Sequence, residues 1–520
     1  MDYILPIIAV ILWVTTVWGI LRYNLHMFQL NGYKNKEHFR WLLKNITNPL
    51  MLLFAIVPGV LVIFFPKIVS VIGTYIICVI YFFYYMHLKK VNNKKKLVFT
   101  NRVKRMLITK AIINFTVVAL VYITLGKYLY LTMGILIALQ PWLVILINII
   151  NSPIEKHINN GFIKDAKRIL SEMPDLKIIG VTGSYGKTSV KYYLQTLLKS
   201  RYNVLVTPAS FNTPMGVVRT IREELKPIHE IFVCEMGARN IGDIKELCDI
   251  VNPHYGVITS VGPQHLETFL NMENITNTKF ELADAIPENG LIFLNGDNDY
   301  ILDKSTKYSN TVFYSTTPKE GAYYSENISV TQSGTEFDMV APDGTKEHFK
   351  MKLVGGHNVI NVAGAIAVAN SLGIAFSDLK NAVRKIMPVE HRMQLIEKGS
   401  VTIIDDAYNS NPVGSKAAVE TLSMFDGARI LVTPGMVELG AEEERFNYEF
   451  GTYAAACCDY IVLVGKKHTE PILKGVLDAG FSKEKCMVFE RLNEALDYVY
   501  SIPTNKHKFV LLENDLPDNY

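Results

Sequence analysis

The sequence has few cysteines and little net charge, and both shortages exclude classes of protein. Six cysteines in 520 residues show no CxxC spacing and no ladder of pairs, which excludes a zinc ribbon or a disulfide framework and indicates a reducing compartment. The formal net charge is only +4, and the basic residues concentrate in two loops of the N-terminal third. We therefore expect no nucleic-acid partner.

The N-terminal third, residues 1–150, is predicted to be a transmembrane region of about five helices. The apolar runs are each long enough to cross a bilayer and lie at about 3–21, 49–65, 68–86, 108–126 and 128–150. None holds an acidic residue, so a proton or ion path has no candidate. The loop from Lys89 to Arg105 is basic and should contact anionic lipid. These patterns predict a multi-pass protein of the inner or plasma membrane with cytoplasmic catalytic domains. For the role of the membrane region itself, a plain anchor and a substrate-handling region remain equal alternatives.

A glycine-rich turn lies in the stretch Lys177 to Ser189, KIIGVTGSYGKTS. The strict pattern GxxxxGK[ST] fails because Val181 occupies its first position, but TGxxGKT is present. A β-prone run, a glycine turn and a helical run are typical of a phosphate-binding loop, in which a lysine contacts the outer phosphates and a hydroxyl contacts Mg²⁺. The alternative is a glycine turn that only ends a strand. The predicted nucleotide-binding residues are Gly183, Ser184, Gly186, Lys187, Thr188 and Ser189.

The chain after about residue 160 has the pattern of an α/β protein. A central ATP-binding domain, 160–390, is predicted as a doubly wound parallel sheet with strands Val204–Val206, Ile231–Glu235, Tyr255–Thr259 and Leu291–Leu294. Residues 311–354 are predicted to add antiparallel strands that turn at Asp343-Gly344. A C-terminal Rossmann-like α/β domain, 391–520, follows without a GxGxxG motif; its predicted strands are VTIIDDAY, ARILVTPGM, DYIVLVGKK, KCMVFE and KFVLLEND.

Polar residues follow several of these strands. Glu235 ends IFVCE, and an acid at that edge beside a phosphate-binding loop commonly holds Mg²⁺. His265 follows YGVITSVG, Lys279 precedes Glu281 by two positions, and Asn295 follows LIFL. Each of them alone is more simply explained as a solvated or surface side chain.

Together and in this order, these residues belong to nine motifs that resemble the Mur ligase family of ATP-dependent amide ligases. The resemblance covers about residues 175–515 and is closest to the type that adds D-alanyl-D-alanine. The motifs are GVTGSYGKTS, FNTPMG, EMGAR, GPQHLE, the KxE at Lys279, NGDND, GGHNVINVAGA, HRMQ and DDAYNSNP.

The resemblance implies a function in peptidoglycan precursor synthesis. In this family a carboxylate attacks the γ-phosphate of ATP to give an acyl phosphate, and an amine then displaces the phosphate to form an amide. The implied partners are ATP, a muramyl-peptide or other carboxylate acceptor, with a lipid-linked form as one alternative, and an amino acid or dipeptide amine. Two Mg²⁺ ions and the loop lysine neutralise the charge that a carboxylate meets at a polyanion.

The resemblance also assigns roles to residues. Thr188 and Glu235 would hold the first Mg²⁺, and His265 and Lys279 the second. Because an ammonium cannot bind a cation, Lys279 would be carbamylated, as the family's lysine at this position is. The implied catalytic residues are Lys187, His265, Lys279 and Arg392.

The remaining roles concern the nucleotide. Asn295 would contact the adenine, Asn358 would lie near the nucleotide, and Arg392 would reach the γ-phosphate on domain closure. Asp405 or Asp406 would meet the ribose or order the domain junction.

Two departures from the family pattern leave alternatives open. The predicted membrane helices replace a UDP-sugar-binding domain, and the chain ends in VLLENDLPDNY where muramyl ligases usually have a Lys-Gly-Ser-Arg strand. A membrane-embedded ligase with a lipid-linked acceptor would explain both. The alternatives are a poly-γ-glutamate or other capsule-polymer ligase and, from another class, the P-loop ATPase of a membrane exporter.

Overall fold

In a computed structural model, the structure of the chain is described for residues 4–61, 64–65, 67–88, 96–125, 128–408 and 410–515. The chain forms two compact units, residues 1–161 and 162–516. Parts of several predicted features lie outside the described residues: residues 3, 62–63 and 126 of the apolar runs, 89–95 of the basic loop, Asn409 of DDAYNSNP, and the last five residues.

The first unit is entirely helical in its described residues. Its core is formed by aromatic and aliphatic side chains from five of its helices, among them Trp13, Phe28, Tyr85 and Met133. The helices are α1 Ile4–Leu30, α2 Asn35–Lys44, α3 Thr47–Met51, α4 Val57–Leu61, α5 Lys67–Leu88, α6 Asn101–Leu125, α7 Leu129–Ala138 and α8 Gln140–Ser171, with a 3₁₀ turn at Leu52–Ile56.

Two described helical segments, Ile7–Leu30 and Asn101–Leu125, are long and apolar enough to cross a membrane by length and composition. The number rises to four if each of two bent helix pairs is one span: α2 with Thr47–Leu61, bent by 74°, and α7 with α8, bent by 78°. Val71–Tyr85 is a shorter apolar helix. The predicted run at 49–65 is thus broken into short helical pieces rather than one continuous helix.

The second unit begins with a nine-stranded mixed sheet in the order β2-β3-β1-β4-β5-β6-β7-β8-β9. The strands are β1 Lys177–Thr182, β2 Val204–Val206, β3 Ile231–Glu235, β4 Tyr255–Ile258, β5 Leu291–Asn295, β6 Thr311–Ser315, β7 Tyr323–Thr331, β8 Gly334–Val340 and β9 Lys346–Met351. The four strands predicted for the doubly wound part are confirmed to within one residue at each end.

The antiparallel part of this sheet is smaller than predicted. β7, β8 and β9 pair antiparallel, and Gly344, with φ +84°, provides the turn after Asp343. β6 was predicted to be antiparallel, but it pairs in parallel with both β5 and β7. The reason is that a helix, Asp299–Ser305, connects β5 to β6, and a helical crossover returns the chain in the same direction.

Helices cover both faces of the sheet. One face packs on α9, α15 and α16, and the other on α10, α11 and α13. The bounds are α9 Lys187–Leu198, α10 Pro214–Glu224, α11 Asp243–Val251, α12 Leu266–Phe269, α13 Met272–Asp284, α14 Asp299–Ser305, α15 His357–Ser371 and α16 Phe376–Val383.

Helix α15 approaches the sheet unusually closely at Gly364. A Cβ atom at this position would lie 2.8 Å from the Tyr314 ring, and Tyr314 is buried in β6. Because buried aromatic rings and backbone cannot yield at this distance, glycine fixes the depth at which α15 packs.

The C-terminal sheet has six strands in the order β10-β11-β15-β12-β13-β14. All five predicted strands are confirmed and are parallel; β10, an antiparallel edge strand, was not predicted. The strands are β10 Gln394–Lys398, β11 Val401–Asp406, β12 Ala428–Thr433, β13 Tyr460–Val464, β14 Cys486–Phe489 and β15 Lys508–Glu513. The helices are α17 Pro412–Ser423, α18 Glu443–Cys457, α19 Glu470–Asp478 and α20 Leu492–Ser501, with 3₁₀ turns at Gly440–Glu442 and Lys483–Lys485.

Candidate nucleotide and metal site

The glycine turn joins β1 to the N-terminus of α9 in the predicted arrangement. Gly183 has φ +149° and Gly186 has φ +79°, values that favour glycine. A Cβ at Gly183 would lie 2.1 Å from Thr259 Oγ1, and one at Gly186 would lie 2.5 Å from Asn361 Oδ1. Both glycines are therefore required for conformation and for space. The turn presents backbone amides at a helix N-terminus, where anions bind.

Of the two predicted serines, Ser184 holds the loop in shape. Ser184 Oγ donates to Gly262 O at 2.9 Å and accepts from Gly262 N at 3.0 Å. Ser189 is buried in the first turn of α9. The contact of Ser184 and Ser189 with a nucleotide stays a prediction. Ser184 also hydrogen-bonds within the protein itself.

The Lys187 ammonium folds back over the loop. Its Nζ donates to Gly183 O at 2.5 Å and to Ser184 O at 3.1 Å. Burial lowers the pKa of Lys187 to about 8; Glu235 opposes this shift and Arg392 adds to it. A bound phosphate would restore the charge of the ammonium, since an adjacent anion favours the protonated form.

Glu235, at the end of β3, lies opposite the loop and is almost fully buried. Its Oε1 accepts from Thr188 Oγ1 at 3.0 Å and from Asn212 Nδ2 at 3.1 Å. Burial alone would raise the pKa of Glu235, but the ammonium groups of Lys191 and Lys187 outweigh it and lower the pKa below its usual range. Glu235 is therefore a carboxylate at neutral pH, next to the threonine with which it was predicted to share a metal.

Two side chains at Glu235 were missed by the sequence reasoning. Lys191 Nζ lies 3.0 Å from Glu235 Oε2 and donates to Ala209 O at 2.7 Å. Its position four residues after Lys187, on the same face of a predicted helix, was a signal that could have found it. Asn212 lies within FNTPMG, a motif that was noted without a role.

Lys279 is enclosed in α13 with 2% of its surface exposed. Among the described residues its Nζ makes no hydrogen bond, and the nearest ring is Phe269, with its centroid at 5.8 Å. Burial and the positive charge of Lys187 lower its pKa well below the ordinary value, against the opposing effect of Asp243 and Glu281. Burial therefore favours the neutral amine of Lys279 over its ammonium form.

His265 lies near Lys279 but is engaged by the C-terminal part of the unit. Its Nδ1 is 2.5 Å from Glu438 Oε2, and Arg239 is 3.3 Å from the other oxygen of Glu438. Burial lowers the pKa of His265; Glu438 opposes the shift, while Arg239 and Lys279 add to it. The Lys279 side chain is thus close enough to the His265 imidazole to affect its pKa. Glu438, from the C-terminal part of the unit, contacts the same imidazole.

Arg392 reaches the phosphate-binding loop from the C-terminal part of the chain. Its NH2 is 3.4 Å from Thr188 Oγ1, its guanidinium lies 4.4 Å from the centroid of the Tyr408 ring, and its buried Nε has no hydrogen-bond partner. A guanidinium with an unused donor beside the glycine turn matches the recognition geometry of a phosphate.

The two predicted asparagines are held by the protein itself. Asn295 Nδ2 donates to Thr259 O at 2.9 Å, and its Oδ1 accepts from Asp297 N at 2.9 Å. Asn358 Nδ2 donates to Val354 O at 2.9 Å, and its Oδ1 accepts from Tyr193 OH at 3.0 Å. Their contacts with adenine and nucleotide stay predictions.

Asp405 and Asp406 organise the turn that carries Arg392. Asp405 Oδ2 is 2.7 Å from His391 Nδ1, and Asp406 Oδ1 accepts from Met393 N at 3.2 Å. Burial raises the pKa of Asp406 to about 6, with Arg392 and Met393 N opposing the shift. Whether Asp405 or Asp406 meets the ribose or orders the domain junction stays a prediction.

The residues fit a bound nucleotide with a divalent cation. Within the described residues, no group of three His, Cys, Asp or Glu side chains could hold a metal, so a metal here would need the threonine hydroxyl, phosphate oxygens or a modified lysine. Glu235 Oε2 is buried and accepts no hydrogen bond, although the Lys191 ammonium is near it. A carboxylate beside a hydroxyl is a ligand pair that Mg²⁺ uses, and at Glu235 the ion would meet the Lys191 ammonium on the same oxygen.

The fold and this site define a nucleotide-dependent α/β enzyme in which a phosphate-binding loop on one sheet meets an arginine from a second sheet. The family profile of the Mur ligase middle domain matches residues 181–369, and that of the Mur ligase glutamate ligase domain matches residues 391–512. The chain belongs to the Mur ligase family, whose members are ATP-dependent ligases.

Relatives and solved structures agree with this membership. The chain is 30% identical over 332 residues to the UDP-N-acetylmuramoyl-tripeptide--D-alanyl-D-alanine ligase of Escherichia coli, spanning 61% of this chain and 73% of that protein. It is 32% identical over 289 residues to the Bacillus subtilis enzyme of that name, spanning 55% and 62%. The structure of MurF ligase from Thermotoga maritima in complex with ADP superposes with a TM-score of 0.62 at 28% identity, covering 69% of this chain and 80% of that one.

The predicted location in a membrane is wrong. The matching relatives and solved structures are soluble ligases, which contradicts a multi-pass protein of the inner or plasma membrane. The prediction rested on the length and apolar composition of each run alone, and two of the five runs, 49–65 and 128–150, are broken or bent rather than continuous.

Proposed function

We propose that this chain joins a muramyl-peptide carboxylate to the amine of D-alanyl-D-alanine, at the expense of ATP, in peptidoglycan precursor synthesis. The observation that carries the proposal is the approach of Arg392 NH2 to 3.4 Å from Thr188 Oγ1. It brings a cation from the C-terminal sheet to the loop where the γ-phosphate of ATP would lie. The names of the relatives supply the substrates.

The proposed reaction proceeds in two steps on the substrates. An oxygen of the acceptor carboxylate attacks the γ-phosphorus, the bond to the β-phosphate oxygen breaks, and ADP leaves. The amine nitrogen then attacks the carbonyl carbon of the acyl phosphate, loses a proton, and expels inorganic phosphate. Lys187 and Arg392 would neutralise the phosphate charge in the first step, which a carboxylate otherwise cannot approach.

Two Mg²⁺ ions are proposed as cofactors. Thr188 and Glu235 would hold the first ion, and His265 with a carbamate on Lys279 the second. Bound Mg²⁺ supplies charge neutralisation between the carboxylate and the phosphates. Asn295, Asn358 and Asp405 or Asp406 are proposed to lie along the nucleotide.

The carbamate proposal is supported by the state of Lys279. Only a neutral amine reacts with CO₂, and burial lowers the pKa of Lys279 well below its ordinary value. Its Nζ has no hydrogen-bond partner among the described residues that would compete with the modification. The product is an anion beside the Lys187 ammonium, which would stabilise it.

The test is release of ADP by the purified full chain with each pair of substrates. UDP-linked and lipid-linked muramyl peptides are compared as acceptors, and D-alanyl-D-alanine, L-glutamate and other amines as donors. ADP release that requires both a muramyl peptide and D-alanyl-D-alanine supports the proposal. Repeated addition of glutamate would favour the capsule-polymer ligase instead, and ADP release without any acceptor would favour an exporter ATPase.

A further inference from the structure

The first unit contains a line of polar side chains between α6 and α8, which we call the polar seam. α6 contributes Arg102, Arg105, Thr109, Lys110 and Asn114, and α8 contributes Asn148, Asn151 and Glu155. Both helices are otherwise rich in apolar residues, and Val103, Met106, Leu143, Val144 and Ile147 from the same two helices belong to the buried core of this unit.

Part of the seam is satisfied within the protein. Arg105 makes a bidentate ion pair with Glu155, in which Nε lies 2.7 Å from Oε1 and NH2 lies 2.8 Å from Oε2. Thr109 Oγ1 donates to Asn151 Oδ1 at 2.8 Å. Arg102 NH2 donates to Asn148 Oδ1 at 2.9 Å, and Asn148 Nδ2 donates to Asn35 Oδ1 at 2.8 Å and to Tyr33 O at 3.3 Å. These contacts fix the two helices against each other.

Four atoms of the seam are buried without partners. Lys110 is 2% exposed, Asn151 3% and Asn114 8%. Among the described residues, no hydrogen bond is made by Lys110 Nζ, Asn151 Nδ2, Arg102 Nε or Asn114 Oδ1. Burial without a partner lowers the pKa of Lys110 to about 7, and an anion bound beside the amine would favour its ammonium form.

The unpartnered atoms define the kind of ligand that would fit. Three are N–H donors, one of them on a lysine and one on an arginine, and one is an acceptor. Glu155, which pairs with Arg105, is the single acid among the eight seam residues, against three basic ones, Arg102, Arg105 and Lys110. A group with several anionic oxygens would accept hydrogen bonds from the Lys110 amine and the Arg102 guanidinium.

We propose that the polar seam is a binding site for a phosphate ester, with Lys110 contacting the phosphate oxygens and Arg102 completing the contact from the partly exposed end. A sugar-nucleotide diphosphate and a prenyl-linked phosphate share this chemistry, and each would bring an acceptor molecule to the first unit. The site is independent of the proposed ligase reaction, because none of its residues belongs to the nucleotide site.

The experiment measures binding of inorganic diphosphate, UDP and a prenyl phosphate in detergent micelles to the full chain by calorimetry. All samples carry Lys187→Ala, which removes the main phosphate ligand of the nucleotide site. We expect binding to persist in this background, to weaken at least about tenfold on adding Lys110→Met, and to remain on adding Lys104→Met, an exposed lysine of the same helix.

The comparison of probes identifies the source of the phosphate. Tighter binding of UDP than of diphosphate indicates a nucleotide-linked acceptor, and tighter binding of the prenyl phosphate indicates a lipid-linked one. Asn151→Asp is the second variant: it retains the oxygen that accepts from Thr109 and replaces the unpartnered amide donor with negative charge, so it should also abolish binding. No binding in the Lys187→Ala background, or equal binding with and without Lys110, would overturn the proposal; neither result bears on ligase turnover.

Discussion

The Lys191 ammonium lies 3.0 Å from the Glu235 carboxylate, and both side chains are almost completely enclosed. This ion pair occupies the oxygen of Glu235 that accepts no hydrogen bond. A divalent cation that binds Glu235 must therefore share the carboxylate with Lys191 or displace it. The pair therefore stabilises the metal-free site, and Lys191 competes with a divalent cation for the Glu235 carboxylate when the metal binds.

Lys191→Met should destabilise the metal-free protein by about 3–5 kcal/mol, since removal of one partner leaves a buried charge uncompensated. Mg²⁺ with a non-hydrolysable ATP analogue should recover more stability in the variant than in the parent. Urea unfolding with and without the analogue measures both effects. Lys199→Met, at an exposed lysine just after the same helix, is the control; equal stability of the two variants would refute the competition.

Arg392→Ala should reduce kcat roughly a hundredfold or more while changing the Kd of an ATP analogue less than about threefold, because a charge that acts mainly in the transition state affects turnover more than binding. Steady-state ADP release and calorimetric titration give the two numbers. Arg384→Ala removes an exposed arginine nearby in sequence and should leave both unchanged. Equal losses in kcat and affinity would show that Arg392 only binds ground-state ATP.

Lys279→Ala should abolish amide formation, and added bicarbonate should not restore it, because the amine that takes up CO₂ is gone. Small carboxylates should restore part of the turnover by occupying the vacated position. In the parent chain, ¹³C-labelled bicarbonate should produce a carbamate resonance that is absent in Lys279→Ala and present in the exposed-site control Lys385→Ala. Full activity without Lys279 would remove the carbamate role.

Glu513 should make the protein less stable at alkaline pH. Burial raises its pKa to about 8, and Asp406 adds to the shift while hydrogen bonds from Ser410 and Thr433 oppose it. A carboxyl group whose folded pKa is raised stabilises the fold below its unfolded pKa near 4.5, and this contribution is lost as pH rises through about 8.

Glu513→Gln keeps a neutral group of the same shape and should flatten the decline, gaining roughly 2–4 kcal/mol over the parent at alkaline pH and nothing below pH 5. Urea unfolding from pH 5 to pH 9 measures the difference. Glu494→Gln, at an exposed position of α20, should leave the profile unchanged. A parallel decline in parent and Glu513→Gln would show that Glu513 is already ionised at neutral pH.

Local pattern was sufficient to predict most of the strands and the glycine turn. β2 and β3 were predicted to the residue because each is a short β-branched run between polar turns, which tertiary packing then buries on both faces. β10 was missed because Gln394–Lys398 has only a weak alternation of polar and apolar side chains. It is an edge strand, so it pairs with a single neighbouring strand and needs no strongly apolar sequence.

The contacts that complete the site could not be predicted from spacing. His265 and Glu438 are 173 residues apart, and Arg392 and Thr188 are 204 apart; no local pattern encodes which strand ends meet across two sheets. Family resemblance selected His265, Lys279 and Arg392, but it gave no role to Lys191, Asn212 or Glu438. Of those three, only Lys191 had a local signal, its spacing from Lys187 on one helix face; the contacts of Asn212 and Glu438 come from the tertiary fold.

The missing side chain at Gly364 has an effect beyond its own helix. α15 also carries Asn361, whose oxygen fills the space beside Gly186. A methyl group at position 364 would push α15 away from the Tyr314 ring and withdraw Asn361 from the turn. The shape of the phosphate-binding loop is thus set partly by a neighbouring helix on the same face of the sheet as α9, so a substitution at Gly364 would alter a loop that this residue does not belong to.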